Sequence, residues 1–207
     1  MAYKLIQIDR LTRGDHSYLT PIDRCHHIMV YHPRKGYAYG EENDILQNFK
    51  KPMDRKGNPE WWYKGWAINK IAEILRNIVT AESLDGWTVV PIPPSKVKTD
   101  PLYDDRVQQV LAKFSRGYGS DIRELLYLTE NYQSSHETDE RLKPKDFENL
   151  YKVDMSLRNP KPKKILLFDD MITAGSHYVG CKNLLAAKFP EASISGLFIF
   201  RRVPEEG

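Results

Sequence analysis

Lys163-Lys164-Ile165-Leu166-Leu167-Phe168-Asp169-Asp170-Met171-Ile172-Thr173-Ala174-Gly175-Ser176-His177 decides how this chain folds. Residues 165–168 form an apolar run of strand length with no polar alternation, which suits a strand covered on both faces, as in a parallel sheet. Asp169 and Asp170 follow at once and are expected outside the core, at the carboxyl edge where open α/β sheets receive ligands. Thr173, Gly175 and Ser176 then combine hydroxyls with a flexible backbone just ahead of a segment with helical spacing. Free N–H groups at a helix start carry about half a positive charge, and glycine lets an anion approach the backbone closely. Carboxylates beside such a cradle suit a phosphorylated sugar, because they accept hydrogen bonds from ribose hydroxyls. An acidic pair after a strand also occurs in phosphoacceptor receiver domains and in solvated turns. A receiver needs its acids near its first strand, whereas these stand near the end of the chain.

Working outward, residues 87–92 read as a strand after the Asp85-Gly86 turn. Its continuation, Pro93-Pro94-Ser95-Lys96-Val97-Lys98, is a rigid basic loop at the strand's end, open to either an anionic ligand or solvent. Val107, Val110, Leu111 and Phe114 share one face of a helix that follows Tyr103-Asp104-Asp105-Arg106 and stops at Gly117-Tyr118-Gly119. Residues 125–128 and 194–200 read as strands, and Cys181, Leu184 and Leu185 as the inner face of the helix after the central turn. Residues 129–144 are polar, lack apolar periodicity and hold His136, Arg141 and Lys143, which fits a functional loop that closes over a site better than a core element.

The first sixty residues speak less clearly. His27 to Tyr31 and Tyr37 to Tyr39, separated by a Gly-containing segment, predict a β-hairpin. Ile45, Leu46 and Phe49 predict a short helix ended by Lys50-Lys51-Pro52, and residues 53–60 a loop. Ala67, Ile71, Ile74, Leu75 and Ile78 define the buried stripe of a longer helix, preceded by Trp61, Trp62, Tyr63 and Trp66. That aromatic cluster suits core packing or a subunit contact, leaving a homodimer open, better than stacking on a base. His16, Cys25, His26, His27 and His32 lack a second ligand pair at metal spacing, so no protein-held metal is expected.

A length of 207 residues suits one α/β domain with a small addition, here residues 1–60 as an N-terminal hood and residues 61–207 as the main domain. The expected core is a mainly parallel sheet flanked by helices. No apolar run approaches the roughly 18 to 20 residues of a membrane span, and the polar start lacks a signal-peptide core, so a cytoplasmic location is expected. Two cysteines without a Cys-x-x-Cys pair indicate structural thiols. A net charge of +3 does not demand nucleic acid as a partner.

The central stretch resembles the phosphoribosyl-pyrophosphate (PRPP) motif of type I phosphoribosyltransferases: an apolar strand, two acids, two mostly apolar residues, then Thr-Ala-Gly, with Thr173-Ala174-Gly175-Ser176 closest to the orotate-enzyme variant. The resemblance implies transfer of ribose 5-phosphate from Mg²⁺-bound PRPP to a nitrogen acceptor, usually a nucleobase, on a fold of that type. It puts Asp169 and Asp170 on the ribose hydroxyls, Thr173, Ala174, Gly175, Ser176 and His177 around the 5′-phosphate, and Ser95, Lys96 and Lys98 at the pyrophosphate. His177 stands where Thr or Ser is common. From about residue 28 onward the order of Val90-Pro91-Ile92-Pro93, Gln133-Ser134-Ser135, Arg141-Leu142 and the PRPP motif also resembles, more remotely, the ComF-type branch. The Asn-Gln pair and Cys-rich zinc ribbon usual in that branch are missing here, so its association with DNA uptake does not transfer. The alternative to an enzyme is a non-catalytic PRPP- or nucleotide-binding accessory protein.

Overall fold

The computed structural model describes residues 3–132 and 142–205. In chain order the elements are β1 (Ile6–Gln7), β2 (Cys25–Tyr31), α1 (Glu41–Phe49), α2 (Trp62–Ile78), β3 (Trp87–Pro91), α3 (Arg106–Phe114), β4 (Asp121–Ile122), β5 (Leu126–Leu128), α4 (Pro144–Leu150), β6 (Tyr151–Val153), β7 (Lys164–Ile172), α5 (Ser176–Lys188) and β8 (Ser193–Arg202). Six strands form one sheet in the order β1-β2-β8-β7-β3-β4, while β5 and β6 pair as a separate antiparallel ribbon. Only the edge strand β1 runs against its neighbour; the other four pairings in the large sheet are parallel.

Side chains alternate along a strand, so the unbroken apolar run of β7 needs cover on both faces. Ile165 and Leu167 join Tyr178, Cys181 and Leu185 of α5 in one core. Phe168 turns the other way, into a core shared with the buried stripes of α1, α2 and α3. The helical periods read from the sequence hold here: Ala67, Ile71, Ile74 and Leu75 of α2 and Val107, Val110, Leu111 and Phe114 of α3 are all buried. The result is an α/β sheet between two helical layers. No described helix is long and apolar enough to cross a membrane.

The hairpin expected near the start does not form. Cys25, Ile28 and Met29 are almost wholly buried, and a strand covered on both faces belongs inside a sheet; β2 accordingly pairs in parallel with β8, from Cys25↔Gly196 to Tyr31↔Arg202. Arg34 (φ 61°) and Gly36 (φ 65°) then turn the chain into a short 3-10 segment at Tyr37–Tyr39. Residues 1–60, expected as a hood, put two strands, β1 and β2, into the main sheet. Ile45, Leu46 and Phe49 of α1 sit in the same core as α2 and α3.

One topological feature positions everything that follows. From β3 the chain crosses by α3 to β4 on one side; from β7 it crosses by α5 to β8 on the other, and the two helices pack on opposite faces. Between strands whose crossovers diverge in this way, a crevice opens at the carboxyl ends. The last β3–β7 register pair is Pro91↔Phe168, whereas β7 continues beside β8 to Ile172↔Arg201. Asp169 and Asp170 thus begin where β7 loses its neighbour on one side.

α4 and α5 cross closely at Gly180, where an added Cβ would lie 2.6 Å from both the Phe147 Cβ and the Pro144 carbonyl oxygen. Alanine there gains about 1 kcal/mol of helix propensity but overpacks the crossing. Gly180→Ala is expected to be about 1 to 2 kcal/mol less stable in urea unfolding, and equal or greater stability would show that α4 moves aside freely.

Candidate functional site

The acids are buried, not exposed as their place after an apolar run suggests: Asp169 and Asp170 are each 8% accessible, because β7 extends through them to Ile172. Being adjacent on a strand, they face opposite layers. Asp169 Oδ1 accepts the Asp170 N–H at 2.7 Å, and its Oδ2 lies 3.3 Å from His177 Nδ1 on α5. Asp170 faces the other helical layer. Its Oδ2 accepts from Arg106 Nε at 3.1 Å and from Arg106 Nη2, and lies 3.4 Å from Lys50 Nζ.

From Arg106 the ion cluster runs on. Arg106 Nη1 meets Asp104 Oδ2 at 2.5 Å, and Lys64 Nζ reaches the same oxygen at 2.7 Å while donating to the carbonyls of Phe49 and Lys51. Three cations, Lys50, Lys64 and Arg106, are thus engaged by the Asp170 and Asp104 carboxylates. Burial by itself would raise the Asp170 carboxyl, but Lys50 and Arg106 outweigh it and hold the group well below the usual carboxylate range. The contacts of Asp170 with these cations all fall on Oδ2.

The turn has the backbone that its sequence implies. Gly175 takes the left-handed conformation (φ 87°, ψ 1°) immediately before α5 begins at Ser176, and Thr173 is exposed. A segment near the start of the chain braces the turn from behind. His16 Nδ1 hydrogen-bonds the Thr173 carbonyl, the Tyr18 N–H donates to the Ala174 carbonyl at 3.0 Å, and Leu19 packs 3.2 Å from the position of a Gly175 Cβ. These hydrogen bonds take the carbonyls of Thr173 and Ala174.

His177 does more than lend a backbone N–H. Its ring stacks on Phe147 at 4.6 Å, and its Nε2 lies 2.8 Å from Tyr151 Oη, which in turn contacts the Pro93 carbonyl and Tyr132 Oη, each at 3.0 Å. A carbonyl can only accept, so Tyr151 donates to Pro93. Through this chain Asp169, α5, the loop after β3 and the start of β6 are tied together.

The remaining expected site residues are dispersed. The Ser95 carbonyl accepts the Tyr132 N–H at 3.1 Å, next to the chain just described. Lys96 and Lys98 line a cavity of about 330 Å³ that includes neither acid, and Lys98 is ion-paired with Glu124. Another cavity, about 320 Å³, lies around Gly86, Trp87 and Thr88 at the opposite end of β3. Lys143 is exposed at the start of α4, where its N–H donates to Asp146 Oδ2 at 2.8 Å; His136 and Arg141 lie outside the described residues. Trp62 and Tyr63 stack on each other at the surface, and Trp61 covers Lys64, whose Nζ is 5.5 Å from its ring centroid. Lys50, Arg106, Tyr132 and Tyr151 join the site without having been marked as functional. Their sequence signal is local only: Lys50 reads as a helix end and Arg106 as a helix start.

Among the described residues no group of three or more His, Cys, Asp or Glu is placed to hold a metal ion. No protein-family model matches the chain, and no curated protein matches it.

Two consequences for stability can be measured. Arg106→Met leaves Asp170 buried with Lys50 alone, and breaking a buried pair from one side should cost about 3 kcal/mol in urea unfolding at pH 7. Because the folded-state carboxyl is depressed, its stabilising contribution is complete above its unfolded value of about 3.9 and is lost as pH falls through the folded value. The deficit of Arg106→Met should therefore shrink only below about pH 4, where Asp170 takes up its proton in the variant before it does so in the native chain, and a deficit that stays constant down to about pH 2 would contradict the pairing. Burial also lowers the imidazoles of His16, His26 and His27, aided by Arg201 at His16 and His27, with His27 brought to about 4. The unfolded chain takes up these protons near pH 6.5 while the fold resists them, so stability should fall as pH drops from about 6.5 toward 4. His27→Gln should flatten that slope, as read from urea midpoints across the window.

Proposed function

We propose that this protein transfers ribose 5-phosphate from Mg²⁺-bound PRPP to a nitrogen nucleophile, with a type I phosphoribosyltransferase-like arrangement of its sheet. The observation that supports this best is the meeting, at the divergence of the β3 and β7 crossovers, of two carboxylates with a left-handed glycine turn that starts a helix. In this reading the turn from Thr173 to His177 receives the 5′-phosphate on its backbone N–H groups and on the Ser176 hydroxyl. Asp169 and the Oδ1 of Asp170 accept from the ribose hydroxyls.

Each part answers a charge that develops in the reaction. The bond from the ribose anomeric carbon to the diphosphate breaks as the bond to nitrogen forms, and the nucleophile gives up a proton. The sugar becomes oxocarbenium-like, which neighbouring carboxylates stabilise, and the departing diphosphate gains negative charge. The basic loop with Lys96 supplies positive charge at the same end of the sheet. Magnesium belongs to the substrate in this scheme, carried on the diphosphate oxygens.

Isothermal titration with PRPP and Mg²⁺, followed by a screen of nitrogen bases for pyrophosphate release, tests the proposal. Ser176→Ala should weaken ribose 5-phosphate binding by about 1 to 3 kcal/mol, the range for a hydrogen bond to a charged oxygen, with little change in stability. Gly175→Val should abolish it, since a β-branched residue resists the left-handed backbone. Unchanged affinity in both variants, or no binding of PRPP by the native chain, would overturn the reading. Binding without pyrophosphate release for any base would instead support a non-catalytic PRPP-binding protein.

A further inference from the structure

His16 is wholly buried, and the hydrogen bond that its ring makes to a described residue runs from Nδ1 to the Thr173 carbonyl. A carbonyl only accepts, so Nδ1 carries the proton. Packing alone does not require an imidazole at such a place, because an apolar ring is buried at less cost. What the imidazole adds is the bond to the turn.

The segment that carries His16 is anchored elsewhere. Its neighbour Asp15 pairs with Arg201 Nη1 near the end of β8 at 2.6 Å. Farther on, Asp23 Oδ2 accepts the Thr20 N–H at 2.8 Å and the Thr20 hydroxyl at 2.6 Å, while its Oδ1 meets Lys182 Nζ of α5 at 2.6 Å. Between these anchors the His16 carbonyl accepts the Leu19 N–H at 2.8 Å. The place of the ring is therefore set by contacts to β8 and α5, and the turn takes its place from the ring.

A peptide unit is planar and trans, so its C=O and N–H point in opposite directions. The Thr173 carbonyl is drawn to His16 and the Ala174 carbonyl to the Tyr18 N–H, so the N–H groups of Ala174 and Gly175 both point away from residues 16–18. Successive N–H groups turned to one side at a left-handed residue form an anion-binding concavity. Of the two contacts that orient them, only that of His16 is made by a side chain.

We infer that His16 is a positioning residue for the phosphate of the ligand, an assignment that rests on reading this turn as the 5′-phosphate site. His16 does not touch the ligand. Through the Thr173 carbonyl it fixes the plane of the Thr173–Ala174 peptide and so aims the Ala174 N–H at the anion.

Three variants separate aim from packing. The amide N–H of asparagine stands where imidazole carries Nδ1, so His16→Asn keeps a donor for the Thr173 carbonyl. The donor of His16→Gln stands farther out, in the place of Nε2, and His16→Phe has none. Ribose 5-phosphate affinity, measured by calorimetry on the full chain, should fall about tenfold in His16→Phe and His16→Gln and return to within about threefold of native in His16→Asn. The ligand-free amide NMR signals of Ala174 and Gly175 should move in the first two variants and stay near their native positions in the third. If His16→Phe does not fold, the asparagine and glutamine pair decides. Equal affinity in that pair, or native affinity in His16→Phe, overturns the inference while the phosphate site stands. No binding by the native chain overturns the phosphate site, and unmoved Ala174 and Gly175 signals in His16→Gln overturn the positioning by themselves.

Discussion

β7 must be covered on both faces along its apolar half and then carry two buried carboxylates, one toward each helical layer. Most of this structure answers that constraint. An isolated carboxylate out of water is costly, and the cost is met only by charge or hydrogen bonds arriving from neighbouring elements. Asp170 draws Arg106 from the start of α3 and Lys50 from the end of α1, and Arg106 brings Asp104 and Lys64 with it. Asp169 is met from the other layer by His177 at the start of α5. The acidic pair thus locks the ends of α1, α2, α3 and α5 around one point of the sheet.

Such a cluster is a poor device for stability alone, since well-packed apolar residues of similar volume often do as well or better. What it supplies is placement. Asp170 is held by two cations and Asp169 lies against a histidine ring, so their orientation is set within the fold, and pre-set charge is the form in which a site contributes most to catalysis or binding. The turn is prepared in the same manner. His16, Tyr18 and Leu19 hold it through carbonyls and packing, which keeps the left-handed Gly175 in place.

The chain from Asp169 through His177 to Tyr151, Tyr132 and Pro93 has a further consequence. It joins the acidic end of β7 to the Pro93 carbonyl in the loop after β3, across the gap where the strands no longer pair. The two sides of the crevice are therefore coupled, and the cavity lined by Lys96 and Lys98 lies just beyond, on the same loop.

The sequence by itself determined what is local. Apolar runs of strand length predicted β3, β7 and β8, 3.6-residue spacing predicted α2 and α3, and the Thr173-Ala174-Gly175-Ser176 turn predicted a backbone conformation that Gly175 takes up. These features follow from steric and burial rules that act over a few residues. Tertiary structure alone decided that β2 enters the sheet instead of folding back as a hairpin, that the acids are buried, and which cations meet them. Arg106 is 64 residues from Asp170, and His16 is 157 residues from the carbonyl of Thr173. The sequence around Lys50 and Arg106 reads as ordinary helix ends, because a side chain's neighbours across a sheet depend on strand order and crossover side, and no local pattern encodes either.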